Sequence, residues 1–268
     1  MNSKNIYDSN RSAWNEALNY HQKARSNSLQ KGFQDSNFTI FDRDCDAVLL
    51  EKLDEIDLTG KVIGQLPCNN GRELLSLMKL GAKKAVGFDI SDNAIQEAKQ
   101  LAEIAKIDAT FERTNILDIN YSYNNYFDFI YISEGSLQWF PDLNEYFAVV
   151  SRLLKKSGQL LIFEMHPIAY LFEVDFDAKK PDFDLLVPYF EKGPYHYKDG
   201  LDYIGGVEYE SKEGYWFMHK LSDILKALIK NGLNLEDIEE YNLEMANNES
   251  TKVLDKFPLS YMVLSINN

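Results

Sequence analysis

Apolar residues along this chain change their spacing twice. From about Arg11 to Asp54 they recur every three or four positions, with Trp14, Ala17 and Leu18 on one face and Val48, Leu49, Leu53 and Ile56 on another after an acidic start at Asp42; leading helices are expected here. From Lys61 to Met165, strand-length apolar runs alternate with amphipathic stretches, the pattern of βαβ units around a parallel sheet. The runs are Val62 to Leu66, Ala85 to Asp89, Ala109 to Arg113, Phe127 to Ile132 and Gln159 to Phe163. Between the last two, Leu143, Tyr146, Phe147, Val150, Leu153 and Leu154 form one helical stripe, opened by Pro141, followed by Gly158 and carrying Lys155 and Lys156 in its last turn. After His166 the periodicity breaks down. Leu221 to Lys230 then reads as a helix stopped by Gly232, and Leu235 to Tyr241 and Leu259 to Ile266 read as a closing antiparallel pair.

The irregular stretch from His166 to His219 is rich in rings: 13 of the chain's 35 aromatic residues fall in it, among them Phe172, Phe176, Phe183, Tyr195, Tyr203 and Trp216. That density predicts a separately packed cap over the sheet, most of its rings forming the cap's own core. The 268 residues carry 28 basic and 42 acidic side chains, a net charge of −14 that disfavours nucleic acid as the main partner. Two cysteines and four scattered histidines give no disulfide scaffold and no metal-ligand spacing, so no metal is expected. The polar start and the lack of a long apolar run predict a cytoplasmic protein with no membrane partner.

The chemistry concentrates between Lys61 and Asp89. A buried-type strand runs into Leu66-Pro67-Cys68-Asn69-Asn70-Gly71 and then into a helix. In an open parallel sheet, ligands bind beyond the carboxyl ends of the strands, where the first turn lets backbone amides approach; Gly71 is expected to remove a Cβ at that approach. Asp89 closes the second strand 18 residues later, with Ser91 as the N-cap of the next helix. An acid there can accept both hydroxyls of a ribose, or merely start a helix. A turn with one glycine favours a nucleoside-bearing cofactor over a dinucleotide such as NAD.

The order of the Cys68-Asn69-Asn70-Gly71 turn, Val86-Gly87-Phe88-Asp89-Ile90-Ser91, Tyr126-Phe127-Asp128-Phe129-Ile130, the Ser133-Glu134 to Trp139-Phe140-Pro141-Asp142 loop and Leu153-Leu154-Lys155-Lys156-Ser157-Gly158 resembles the class I S-adenosylmethionine-dependent methyltransferases. The resemblance implies an α/β Rossmann-like, doubly wound, mostly parallel seven-stranded sheet with an antiparallel last strand. It also implies a division into N-terminal helices and lid (1–60), cofactor-binding core (61–165), cap insertion (166–219) and closing elements (220–268). S-adenosyl-L-methionine is then the implied donor, held by Gln65, Leu66, Pro67, Cys68, Asn69, Gly71, Asp89, Ile90, Asn115, Ile116, Ser133 and Glu134, with a small-molecule amine or hydroxyl as acceptor. The chain departs from the family where an acid and two glycines are usual; it has Gln65, Pro67 and Asn69. Weakened binding, and hence a non-catalytic nucleoside-binding protein, is the alternative that those departures keep open, with an NAD-dependent oxidoreductase as a third.

Methyl transfer from a sulfonium chiefly requires alignment and water exclusion. An acceptor protonated at neutral pH also needs a base, for which His166 at the sheet's edge is the candidate, with Glu164 and Glu134 as rivals; a histidine simply hydrogen-bonded at a strand end is the competing reading. Tyr7, Trp14, Tyr20 and His21 are expected to fold over the site as a lid, with Trp139 and Tyr203 beside the substrate. Tyr195, Tyr203 and Trp216 are candidates for a cage around a cationic acceptor. His219 and Ser222 read as capping and structural residues.

Overall fold

A computed structural model describes residues 3–171, 187–243, 245 and 257–268, and the side chains from Lys4 onward. Phe172, Phe176 and Phe183 lie outside the described residues. The parallel strands are β1 (Val62–Gln65), β2 (Lys84–Asp89), β3 (Ala109–Arg113), β4 (Phe127–Ile132) and β5 (Leu154–Met165). A two-stranded antiparallel ribbon follows, β6 (Tyr195–Tyr197) with β7 (Gly214–Trp216), and then the closing strands β8 (Leu233–Tyr241) and β9 (Ser260–Asn267). The main sheet runs β3-β2-β1-β4-β5-β9-β8, with β9 antiparallel to both β5 and β8. This is the mostly parallel seven-stranded sheet that the sequence led us to expect.

Alternation along the strands explains the two cores. Phe129 turns to the face covered by α3 (Asp46–Ile56), α4 (Arg72–Met78) and α5 (Asp92–Ala105), where it meets Leu49, Leu74 and Ala98. Its neighbour Ile130 turns to the face covered by α6 (Leu143–Leu153) and α7 (Leu221–Lys230), among Phe147, Val150 and Leu228. Strand order reverses between β2 and β4 on either side of β1, so the crevice lies beyond Gln65, Asp89 and Ile132.

Several boundaries differ from the sequence reading. The leading zone is three helices: α1 (Ser3–Arg25), α2 (Ser28–Phe33) and α3. Ser26 takes φ +51 at the end of α1, and the third helix starts at Asp46, whose carboxylate accepts the Arg43 amide at 3.0 Å, and not at Asp42. Helix α6 is capped by Asp142, which accepts the Asn144 amide at 2.8 Å, and ends at Leu153. Lys155 and Lys156 therefore belong to β5, and Lys155 Nζ meets Asp128 at 2.7 Å instead of a helix end. The Ser91 cap forms as expected, accepting from Ala94. His219 is no cap: its Nε2 pairs with the Phe140 carbonyl at 2.9 Å, and α7 starts from Lys220 without a side-chain cap, Ser222 included.

Candidate functional site

The turn after β1 is closed on itself. Pro67 has no amide, and the amides of Cys68, Asn69, Asn70 and Gly71 go to Phe88 O, Asp89 Oδ2, Asn69 Oδ1 and Cys68 O at 2.7–2.9 Å. No backbone donor of this turn is left for a ligand, contrary to the expected amide cradle. Gly71 serves packing as well as geometry: with φ +74, a Cβ there would lie 2.6 Å from the Phe111 ring and 2.9 Å from Ala98 Cβ, on the core side. Cys68 also turns inward, its Sγ against Gly87, and burial pushes its thiol well above the ordinary value. The Leu66 carbonyl accepts the Tyr146 hydroxyl. What the turn presents is carboxamide: Gln65 and Asn70 are fully buried, and Gln65 Oε1 and both polar atoms of Asn70 have no partner.

Asp89 sits where the ribose reading needs it. The carboxylate oxygens accept the Asn69 and Ser91 amides at 2.8 Å, one each, and the Ile90 amide also favours the ionised form, which still leaves the carboxylate acceptor capacity. Burial raises its pKa to about 6 against those bonds. Ile90 is half-buried beside it. Beyond β3, Asn115 Oδ1 accepts Leu117 N at 3.2 Å and caps a short 3-10 turn whose first residue, Ile116, is buried and has no backbone acceptor within the turn for its amide.

At the ends of β4 and β5 the four candidate groups, Ser133, Glu134, Glu164 and His166, have separate partners. Ser133 Oγ lies 3.3 Å from Gln65 Nε2. Both Glu134 oxygens accept from Arg43 at 2.9 and 3.0 Å, and the same guanidinium holds the buried Asp46 at 2.9 Å. Burial works against the Arg43 charge, but the two carboxylates outweigh it and raise its pKa. Glu164 is buried with four amides on its carboxylate, those of Gly135, Ser136, Leu137 and Met165. It ties the loop after β4 to β5, which leaves no oxygen for proton transfer. His166 is equally committed. Nδ1 accepts the Ile168 amide at 3.1 Å, which puts the hydrogen of the neutral ring on Nε2; that nitrogen stands 2.9 Å from Glu240 of β8 without hydrogen-bond geometry, and neither nitrogen keeps a free lone pair for an acceptor's proton. The hydrogen-bonded strand-end histidine is the reading that the geometry favours.

The expected lid residues divide. Asn10 of α1 exchanges two hydrogen bonds with the Tyr215 backbone of β7, and Arg11 pairs with Asp92 through two bonds of 2.8 Å, which seats α1 across the strand ends. Trp14 then meets Trp139 at 5.3 Å, His21 at 6.3 Å and Tyr203 at 6.5 Å between ring centroids. Tyr7 instead packs into the core near Phe140, and Tyr20 stacks on Tyr209 at 4.0 Å. The three-residue cage does not assemble: Tyr195 and Trp216 stack on each other across the β6–β7 ribbon, and Tyr203 stands with Trp14 and His21. Tyr203 is 60% exposed, yet burial is the main cause of its raised pKa. Two shallow depressions of about 400 Å³, at Lys99–Ala109 and at Asn5–Glu213, contain none of the predicted site residues.

A family model described as a methyltransferase domain matches residues 60–228. The chain belongs to the methyltransferase domain family. Solved structures agree at the level of fold: an S-adenosylmethionine-dependent methyltransferase from Mesorhizobium loti (20% identity, 81% of this chain and 96% of that one, TM-score 0.61) and geranyl diphosphate C-methyltransferase from Streptomyces coelicolor A3(2) (13%, 83% and 79%, 0.57). A 57-residue stretch is 42% identical to ribosomal protein L11 methyltransferase of Shigella sonnei, covering 21% of this chain and 20% of that protein, so the match spans about a fifth of those relatives. S-adenosylmethionine is the methyl donor of the family, which puts this methyltransferase among enzymes and not among nicotinamide oxidoreductases. The residues fit such a donor: Asp89 has acceptor capacity for a ribose diol, and the Ile116 amide has no acceptor within its own turn. Among the described residues no His, Cys, Asp and Glu group could hold a metal ion, and no helix is long and apolar enough to cross a membrane. Sequence reasoning passed over Arg43, Arg25, Arg72 and Glu73. Only the place of Arg72 and Glu73 directly after Gly71 could have drawn attention to them.

Proposed function

We propose that this methyltransferase acts on a small-molecule amine or hydroxyl held against the aromatic cluster that α1 forms with Trp139 and Tyr203. The cluster of Trp14, Trp139 and His21 against the exposed Tyr203, where α1 crosses the strand ends, carries this reading, because convergent aromatic side chains with a few polar groups among them suit small ligands. The acidic surface points the same way.

When bound, the donor supplies an electrophilic methyl on a sulfonium that is its own leaving group. The protein's task is then alignment: Asp89 anchors the sugar, α1 is seated by Arg11 and Asn10, and the rings of Trp14 and Trp139 exclude water. For the proton we assign His21 in place of His166. Its Nε2 faces the Leu201 carbonyl at 2.7 Å and so carries the hydrogen, while Nδ1 keeps a lone pair without a partner; the ring is fully buried, so an acceptor reaches Nδ1 only once Tyr203 or Trp14 beside it moves aside. Burial holds its pKa down at about 4, so the ring is neutral at pH 7.

Incubation with labelled S-adenosylmethionine against separate pools of small metabolites, ribosomal proteins and RNA tests the acceptor class. Label in the small-molecule pool is the expected result. Label confined to protein would overturn it and support the protein substrate named for the ribosomal protein L11 methyltransferases.

A further inference from the structure

Because every amide of the β1 turn is taken, a ligand carboxylate finds no backbone donor there. Unpaired charge stands close by. Arg25 in the last turn of α1 has a buried Nη1 with no partner, and among the described residues neither Arg25 nor Arg72 pairs with a carboxylate. Arg25 lies one helical turn past His21, whose ring meets Tyr203 at 4.6 Å between centroids, and Arg72 opens α4 directly after Gly71; both influence the Tyr203 hydroxyl electrostatically, as do Glu134 and Glu73. After burial, the strongest influence lowering the Arg25 pKa is Arg72 itself. Two guanidiniums without carboxylate partners, one of them with a buried nitrogen, are the complement of an oxyanion, which an arginine fork binds through two bonds. On the opposite sign, Glu73 accepts from Gln65 Nε2, the nitrogen that an acceptor-only carboxylate must face; Gln65 Oε1 is left buried and unpartnered beside it.

We propose that Arg25 and Arg72 bind the carboxylate of the methyl donor's α-amino acid while Glu73, positioned by Gln65, binds its ammonium. Charge that a strand acid would supply at position 65 is thus carried across the turn by Glu73, in the first turn of α4, whose side chain touches that of Gln65. The inference rests on the donor lying against Asp89, and it explains how the turn tolerates Gln65, Pro67 and Asn69.

Calorimetry on the full chain with three product-like ligands tests it: S-adenosylhomocysteine carries both groups, its decarboxylated analogue only the ammonium, and 5′-methylthioadenosine neither. Arg25→Gln and Arg72→Gln are each expected to weaken S-adenosylhomocysteine roughly tenfold and to leave the other two unchanged. Glu73→Gln is expected to weaken both ammonium-bearing ligands by a similar factor and to spare 5′-methylthioadenosine. Gln65→Ala should reproduce that pattern at smaller amplitude, as a positioning residue would. Retained 5′-methylthioadenosine binding shows that each variant is folded. Equal weakening of all three ligands, or unchanged S-adenosylhomocysteine affinity, overturns the clamp. If the wild-type chain binds none of the three, the donor placement fails first and the clamp with it.

Discussion

Acidification through pH 6 should release the donor by protonating Asp89. The carboxylate takes the Asn69 and Ser91 amides at 2.8 Å, but burial outweighs those bonds and holds its pKa up at about 6. A ribose diol donates its hydrogens, so it needs the ionised form, which falls from roughly nine-tenths of molecules at pH 7 to roughly one-tenth at pH 5. The affinity for S-adenosylhomocysteine should therefore drop roughly tenfold, or about 1.4 kcal/mol, over that interval. The sign is fixed by the raised pKa: binding is strong above about 6 and is lost as pH falls through it. Asp89→Asn should weaken binding at pH 7 by about 1 to 3 kcal/mol, through loss of charge-assisted bonds, and flatten the profile. Calorimetric titrations between pH 5 and 8 measure both. Flat wild-type affinity, or a variant that keeps the full decline, would show that the ribose is not held by this carboxylate.

Three other substitutions probe the framework and the proton. Gly71→Ala should cost about 2 to 4 kcal/mol in denaturant unfolding, since its Cβ would collide with Phe111 at φ +74; a loss below about 1 kcal/mol would mean that the turn relaxes freely. Arg43→Met should cost about 3 to 5 kcal/mol by stranding the buried Asp46 beside Glu134, with partial recovery in the Arg43→Met, Asp46→Asn double variant; absence of recovery would assign the loss to packing. His21→Ala should cut turnover by about 100-fold without changing S-adenosylhomocysteine affinity, whereas His166→Ala should keep the pH profile of turnover; the reverse result would return the base to His166.

What was legible in the sequence is what local pattern determines. Alternation places Phe129 and Ile130 on opposite faces whatever lies around them, and Asp89 can be found because it ends an apolar strand just before the Ser91 cap. The ribbon is another matter: Tyr195–Tyr197 and Gly214–Trp216 are three residues each, too short to show a period, and pair across a long intervening segment. The α6 boundary failed for a related reason, since Lys155 suits a helix end equally well and only its distant partner Asp128 draws it into the strand. The site shows the same division. The position of His166 at the strand edge is readable, but the direction of its ring depends on Glu240, brought alongside by the β8–β9 pairing. A sequence also names which residues carry charge without saying which charges remain unpaired. The departures at Gln65, Pro67 and Asn69 therefore looked like decay, because their compensation lies in what Arg25, Arg72 and Glu73 lack: ion-pair partners of their own among the described residues. In a chain with 14 excess negative charges, two arginines left without carboxylates are costly unless an anion arrives. The same unpaired charge that costs stability in the fold is what the proposed clamp turns toward the donor's amino-acid end.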